Sequence, residues 1–287
     1  AMLAAEYPVS GSLGRGGLAG LLMGNPLLHE AYRNLGMHEI WQAWGLIPRP
    51  LFLAYLEDDC AWLDAFLRPM KPMTDEERGR CLKLMPQISI LTSGLDIYAL
   101  GFARCPSEEA AVLLKDLSPH AAEFSYQPCS DDYVTAYLNR ADVQRALHAR
   151  SDVSWKQCGG VKAYSAESKR TSMIPVLMDL INHGGLRIMI MSGNEDSVVP
   201  STGDQHWIWD TGLDNTEPWR RFKLDGQVAG YTTNFTASST GPPGGDGQPS
   251  PPSGFRYTVV NGAGHMIPMT QPKRSAHVVR QFLSGEW

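Results

Sequence analysis

The chain has 287 residues, a formal net charge of −5, 43% hydrophobic and 19% charged residues, which is an ordinary globular composition. This acidic balance provides no basic surface for nucleic acid, so we expect no nucleic-acid partner. No apolar run approaches the roughly 18–20 residues that cross a bilayer, so we expect no membrane partner either.

The first half of the chain predicts one strand followed by helices. Residues 16–26, GGLAGLLMGNP, combine a short apolar run with a Gly-Asn-Pro ending, which indicates a buried strand and a turn. From about residue 30 to 125 the pattern is helical, with apolar residues at three- and four-residue spacing and a break at Pro48 and Pro50. Residues 74–77 have the Thr-x-x-Glu spacing of a capping box, which predicts a helix start.

From about residue 170 predicted helices and strands alternate. A helix ended by two glycines precedes a strand at 186–191, and a helix at about 203–212 follows it. The last strand, at 256–260, leads through a loop into a helix from about Gln271 to Leu283. This alternation predicts an α/β fold with a parallel sheet covered on both faces. The Pro-, Gly- and Ser-rich residues 237–254 cannot bury enough apolar surface to order themselves, which predicts a flexible surface loop.

Ionisable side chains follow the two later strands. Glu195 and Asp196 come after the strand at 186–191, and His265 comes after the last strand. Loops at the carboxyl ends of parallel strands meet at one edge of the sheet. A carboxylate and then a histidine is the order of an α/β-hydrolase triad, in which the carboxylate orients an imidazole that takes a proton from a serine. Loop residues of these types without any role are also common, so the spacing alone leaves both interpretations open.

A nucleophile for this arrangement is not found in the sequence. The usual context, Gly-x-Ser-x-Gly between a strand and a helix, requires a glycine two positions before a serine, and no serine here has one. The nearest match is SGSLG at residues 10–14, where Ser10 replaces the first glycine and no strand precedes.

The cysteines leave two interpretations open. None forms a Cys-x-x-Cys pair or has a histidine three or four residues away, so we expect no metal site and no cofactor. They are either five reduced core thiols, or two disulfides plus one cysteine whose partner lies elsewhere, as in a secretory compartment. The sequon at Asn234 weakly favours the second interpretation. The five are Cys60, Cys81, Cys105, Cys129 and Cys158.

Several segments resemble the serine carboxypeptidases. SGNEDSVVP and VVNGAGHMIP are similar to the family's aspartate and histidine segments, which usually read SGDxDxVVP and GAGHxVP. GLAGLLMGNP, GLDIYALGFARC, QPCSDDYVTAYLNR and WKQC follow the family's order, so the resemblance covers residues 18–287. It implies the C-terminal portion of an α/β-hydrolase fold, with a mostly parallel sheet and a helical insertion (cap) domain. The implied units are a partial core at 1–35, the insertion at 36–128 and the main core at 129–287.

The resemblance also implies roles for residues. Asp196 would be the triad aspartate and His265 the general base, and Asn194 replaces an aspartate that the family usually has. The family's NGGPGC and GESYAG segments, which supply oxyanion-hole groups and the serine nucleophile, do not occur in this sequence. We therefore expect a fragment of a serine carboxypeptidase-like hydrolase that releases C-terminal residues from peptides only with a companion segment. The alternatives are a serine carboxypeptidase-like acyltransferase and a non-catalytic truncated paralogue.

The cysteines acquire implied partners from the same resemblance. Cys60–Cys81 would close a disulfide within the insertion, and Cys105–Cys129 would tie the insertion to the core. Cys158 would pair with a cysteine of an N-terminal companion chain. The resemblance implies the secretory pathway, with a vacuolar, lysosomal or extracellular destination and glycosylation at Asn234. Residues 1–17 show neither the basic nor the apolar region of a signal peptide.

Overall fold

The computed structural model describes residues 18–64, 67–105, 130–157, 165–236 and 254–286. Six strands lie within these ranges: β1 Gly20–Gly24, β2 Arg187–Gly193, β3 Asp214–Asn215, β4 Arg220–Leu224, β5 Gln227–Thr236 and β6 Gly254–Val260. Residues 237–253 of the predicted flexible loop, together with Cys129 and Cys158, lie outside the described residues.

The helices fall into two groups. The first group is α1 Glu30–Ala43, α2 Arg49–Glu57 and α3 Asp75–Thr92, with a 3-10 turn at Cys60–Trp62. The capping box of Thr74 and Glu77 starts α3, as the sequence predicted. The remaining helices are α4 Ser130–Leu138, α5 Ala141–Ala146, α6 Ala166–Arg170, α7 Ile174–His183, α8 Ser201–Asp210, α9 Ile267–Thr270 and α10 Pro272–Ser284.

The sheet is mixed, with strand order β1-β2-β6-β5-β3 and β4 also paired to β5. β1, β2 and β6 are parallel, as predicted, whereas β5 runs antiparallel to β6, β3 and β4. The antiparallel strands were not predicted from the sequence. β4 and β5 mix buried, half-buried and exposed residues, so neither gives the continuous apolar run that is typical of buried parallel strands.

Apolar layers cover both faces of the sheet. Phe255, Tyr257 and Val259 of β6 pack with α7 and α8 on one face. The opposite face, which includes Val260, packs against Val278 and Phe282 of α10. Because side chains alternate along a strand, every second residue of β6 points to each layer. This packing holds the parallel strands in place, and the loops that follow their carboxyl ends lie at one edge of the sheet.

A helical layer with its own core stands beside the sheet. Ile40, Trp41, Tyr55 and Ile88 form this core with the disulfide-bonded Cys60 and Cys81, the pairing that the resemblance implies. α1 belongs to both layers, because its Gly36 packs directly on Gly203 of α8. The implied boundary at residue 36 therefore falls inside a helix. Cys105 is also disulfide-bonded.

Candidate active site

Asp196 is held in the loop after β2 with its side chain fully buried. Its Oδ1 accepts the backbone N–H groups of Val198 at 2.7 Å and Val199 at 3.1 Å. Its Oδ2 lies 2.7 Å from Nδ1 of His265, within the expected hydrogen-bond range of about 2.6–3.2 Å. Because an ionised carboxylate only accepts hydrogen bonds, Nδ1 carries the proton and Nε2 of a neutral ring keeps its lone pair.

The His265 loop is fixed by backbone hydrogen bonds. The His265 N–H donates to the carbonyl of Tyr98 at 2.6 Å, and the Gly264 N–H donates to Oγ1 of Thr270 at 3.1 Å. A Cβ on Gly264 would come within 2.2 Å of the Tyr98 oxygen, so only glycine fits there. The Gly262 N–H donates to Oδ1 of Asn194 at 2.7 Å. Asn194 thus joins the aspartate loop to the histidine loop.

Asn25, in the turn after β1, also connects these two loops. Its Oδ1 accepts the N–H of Gly193 at 2.9 Å, and its Nδ2 donates to the carbonyl of His265. Asn25 is 4% exposed and has a φ of 40°, in the left-handed region that asparagine tolerates better than most residues. One buried amide therefore links the ends of all three parallel strands.

The segment after α3 forms a wall beside the histidine. The N–H of Leu100 donates to the carbonyl of Glu195 at 2.9 Å, and the Ser197 N–H donates to the carbonyl of Ile97 at 3.0 Å. The ring centroids of Tyr98 and His265 are 5.6 Å apart. The Glu195 carboxylate turns toward this wall, where burial raises its pKa and a hydrogen bond from Gly101 opposes the rise. Of the two candidate carboxylates, only Asp196 meets His265.

The two side chains of the pair differ in burial. The His265 side chain is 29% exposed, against 0% for Asp196. Within the described ranges, Nε2 of His265 has no hydrogen-bond partner. The geometry therefore suits a base that accepts a proton at Nε2 while Asp196 fixes the ring and stabilises its charged form.

A second buried carboxyl group lies behind the pair. Oδ2 of Asp204, on α8, accepts the hydroxyl of Ser192 at 2.7 Å, and Oδ1 lies 3.3 Å from Nε1 of Trp207. The pKa of Asp204 is raised to about 7, mainly by burial and further by the charge of Asp196. Below that pH Asp204 is mostly neutral.

Three other polar side chains do not belong to the Asp196–His265 pair. Asn234, the sequon asparagine, lies inside β5, where its Oδ1 accepts Nε of Arg256 at 2.7 Å. His206 pairs with Glu39 at 2.8 Å on the surface of α8. His38 lies buried in α1, where its ring stacks on Tyr55 with centroids 3.7 Å apart.

Two further observations concern metals and membranes. Among the described residues, no group of three or more His, Cys, Asp or Glu side chains could hold a metal ion. In the same part of the chain, no helix combines the length and apolar character needed to cross a membrane.

Sequence reasoning missed Asn25, Tyr98, Thr270 and Asp204. Of these, Asn25 carried the only local signal, because asparagine before proline is typical of a turn. Tyr98 reaches the site from 167 positions earlier than His265, and no local pattern indicates that contact.

Known proteins resemble this chain in sequence and in fold. Residues 14–285 match the serine carboxypeptidase family. Serine carboxypeptidase-like 40 of Arabidopsis thaliana is 30% identical over 270 residues, covering 93% of this chain and 48% of that protein. Serine carboxypeptidase-like 26 of the same plant is 26% identical, covering 93% of this chain and 54% of that protein. The chain thus spans about half the length of these curated relatives.

A solved structure confirms the predicted fold class. The prohormone-processing carboxypeptidase Kex1(delta)p of Saccharomyces cerevisiae superposes with a TM-score of 0.56 at 16% identity, covering 99% of this chain and 58% of that chain. At this identity the match shows the fold, α/β-hydrolase, rather than the activity. The family model matches nearly the whole sequence, so the chain belongs to the serine carboxypeptidase family.

Proposed function

We propose that this chain supplies the base and its orienting carboxylate to a serine carboxypeptidase-like hydrolase that releases C-terminal residues from peptides. His265 is the general base and Asp196 holds it. The observation that carries the proposal is the 2.7 Å contact between Nδ1 of His265 and a fully buried carboxylate.

The nucleophile belongs, in this proposal, to a companion segment. Among the described residues no hydroxyl group hydrogen-bonds to Nε2 of His265. β1 pairs with β2 along one edge, and no described strand pairs with its other edge. The β1 side chains are half-buried, whereas those of β2 are almost all buried. Since an uncovered strand edge presents unpaired backbone N–H and C=O groups, a further strand beside β1 would complete the sheet, and in this proposal the segment that supplies it also supplies the serine.

The disulfides support a secretory location. Cys60–Cys81 is closed and Cys105 is disulfide-bonded, and disulfides persist mainly in oxidising compartments. We propose a vacuolar, lysosomal or extracellular enzyme in which Cys158 links this chain to its companion. Glycosylation at Asn234 is the weaker part of this proposal, because its amide oxygen is already bonded within the sheet.

A fluorophosphonate probe, which labels activated serines, tests where the nucleophile lies. Protein from the native source should be labelled on a peptide outside this 287-residue sequence, and the chain expressed alone should remain unlabelled. A label on a serine within this sequence would contradict the companion segment. Product analysis with a blocked dipeptide, with and without an added alcohol, separates hydrolysis from acyl transfer.

Substitutions in the assembled protein test the pair itself. His265→Ala should abolish labelling and lower kcat about 10⁶-fold, and Asp196→Asn should lower it about 10⁴-fold by favouring the wrong tautomer. His206→Gln is the matched control, because His206 also pairs with a carboxylate, at 2.8 Å, but that carboxylate, Glu39, is 29% exposed rather than buried. Full activity in His265→Ala would overturn the proposed function.

A further inference from the structure

Residues 130–157, which contain α4 and α5 and are called the α4–α5 unit below, bury very little. Between residues 132 and 157 only Val143 is buried, at 8% exposed, and the other residues are half-buried or exposed. By contrast, α7 buries Leu177 and Ile181 in the core beside the sheet. Helices as short as α4 and α5, with 9 and 6 residues, are marginal in water without packing. The α4–α5 unit therefore needs a further packing partner.

Hydrogen bonds hold the parts of this unit together. Nδ2 of Asn139, just after α4, donates to the carbonyl of Trp155 at 3.0 Å, and Oδ1 accepts the Trp155 N–H at 2.8 Å. Nε2 of Gln144, on α5, donates to the carbonyl of Val153 at 3.3 Å. The segment after α5 is thereby fixed to both helices, so the unit presents one defined surface.

Large apolar side chains are exposed on this surface. Val134 and Tyr137 are 43% and 57% exposed, and they lie on the same face of α4 because they are three positions apart. Leu147, directly after α5, is 62% exposed, and Val153 is 50% exposed. Single exposed apolar residues are common, but several on one small unit indicate an interaction surface.

Two arginines of the unit are each neutralised by an aspartate two positions later. Arg140 contacts Asp142 through hydrogen bonds of 3.0 and 2.7 Å, and Arg150 contacts Asp152 through hydrogen bonds of 3.0 and 2.5 Å. All four side chains are more than half exposed. Because these charges are already paired, apolar contact is the main chemistry that the unit offers, and we expect a partner surface that is apolar.

We propose that the companion segment packs an apolar surface onto the α4–α5 unit, in addition to pairing with β1. This inference rests on the proposed function for the existence of the companion. The length of the relatives favours this occupant, because the chain spans 48% of one and 54% of another. Each relative therefore contains about as much further sequence as this chain matches. A segment of that size is a domain's length of chain, enough to cover both β1 and the α4–α5 unit.

Hydroxyl-radical footprinting, read by mass spectrometry, tests this surface in protein from the native source and in the chain expressed alone. Tyr137 and Leu147 should be oxidised several-fold more slowly in the native protein, because the companion excludes water from them. Leu53, on α2, is the matched control, because it is a leucine of comparable exposure, 45%, outside the unit. It should be oxidised at the same rate in both proteins.

A substitution tests the same contact without footprinting. Tyr137→Lys, made in the native source, should reduce recovery of the assembled protein several-fold, since it places a charge against an apolar surface, whereas Leu53→Lys should not. Circular dichroism of the variant chain expressed alone should match the parent, because Tyr137 is exposed.

The intact mass of the native protein separates this inference from the proposed function. Equal oxidation of Tyr137 in both proteins, with further sequence present in the native mass, would overturn this docking surface and leave the companion in place. A native mass equal to that of this chain would contradict the companion itself. Protection of Tyr137 that appears when the isolated chain is concentrated would identify a second copy as the occupant, and it would also overturn the proposal.

Discussion

The side-chain amide of Asn25 shows how a residue outside the catalytic pair can determine its geometry. It accepts from Gly193 at the end of β2 and donates to the carbonyl of His265. The backbone there has a φ of 40°, so the position combines two specific hydrogen bonds with a conformation unfavourable for most residues.

Asn25→Ala should lower the free energy of unfolding by about 2–4 kcal/mol, since two hydrogen bonds are lost and alanine resists a positive φ. Asn25→Gly loses the same bonds but adopts this φ freely, so it should be about 1 kcal/mol more stable than the alanine variant. Urea unfolding of the three proteins measures both differences. Equal stability of the alanine variant and the parent chain would show that the amide contributes nothing.

Asp204 should make stability depend on pH. Its folded pKa of about 7 lies above its ordinary value of 3.8, so between these values the folded chain holds a proton that the unfolded chain has lost. The free energy of unfolding therefore falls as pH rises through this window. Asp204→Asn cannot titrate, so its stability relative to the parent chain should rise by up to about 1.4 kcal/mol per pH unit.

Urea unfolding at pH 4.5, 5.5, 6.5 and 7.5 gives this difference directly. Taking the difference between variant and parent cancels the contributions of other groups, including His38, whose burial lowers its pKa to about 4. If the two stability curves run parallel across these pH values, Asp204 is ionised throughout and the prediction is wrong.

At the scale of elements, the helical layer meets the sheet layer where α1 crosses α8. A Cβ added to Gly36 would lie 2.2 Å from the backbone nitrogen of Gly203, so the helices approach until their backbones touch. This crossing fixes α1, and through it the helical core beside the site.

Gly36→Ala should destabilise the chain by about 1–3 kcal/mol or more, because neither backbone can move aside without disturbing its layer. Gly79→Ala, inside α3, is the matched control. A Cβ there meets nothing within 4 Å, so alanine should stabilise the helix by about 0.5–1 kcal/mol. Thermal or urea unfolding compares the two. A neutral Gly36→Ala would contradict the close approach.

At the scale of the whole molecule, the uncovered edge of β1 determines whether the chain self-associates when no companion is present. No described strand covers that edge, and Leu18 beside it is 48% exposed. Uncovered strand edges with apolar neighbours promote association. The chain expressed without a companion should therefore self-associate with rising concentration in sedimentation velocity.

Leu18→Lys should reduce this association by placing a charge at the edge. Leu53→Lys, on α2, alters a leucine of similar exposure, 45%, away from the sheet and should leave association unchanged. A monodisperse monomer at all concentrations would show that the edge needs no partner, and it would weaken the proposed companion segment.

The sequence predicted the strands and helix ends that depend on residues close together in the chain. Apolar runs located β1, β2 and β6, the capping box located the start of α3, and glycines located the end of α7. The positions of Asp196 and His265 after parallel strands left their pairing open, and the family resemblance implied it. The strands β3–β5 were missed, since their half-exposed faces leave a weaker pattern than buried parallel strands.

The sequence by itself determined the α/β class, the family resemblance and the two residues of the candidate pair, because each depends on periodicity or on a short motif. The tertiary structure alone decided that Asn25, Tyr98 and Thr270 hold the histidine loop and that Asp204 lies buried behind Asp196. These relations join residues far apart in the chain. Burial and hydrogen-bond geometry arise only once the strands and helices have packed together.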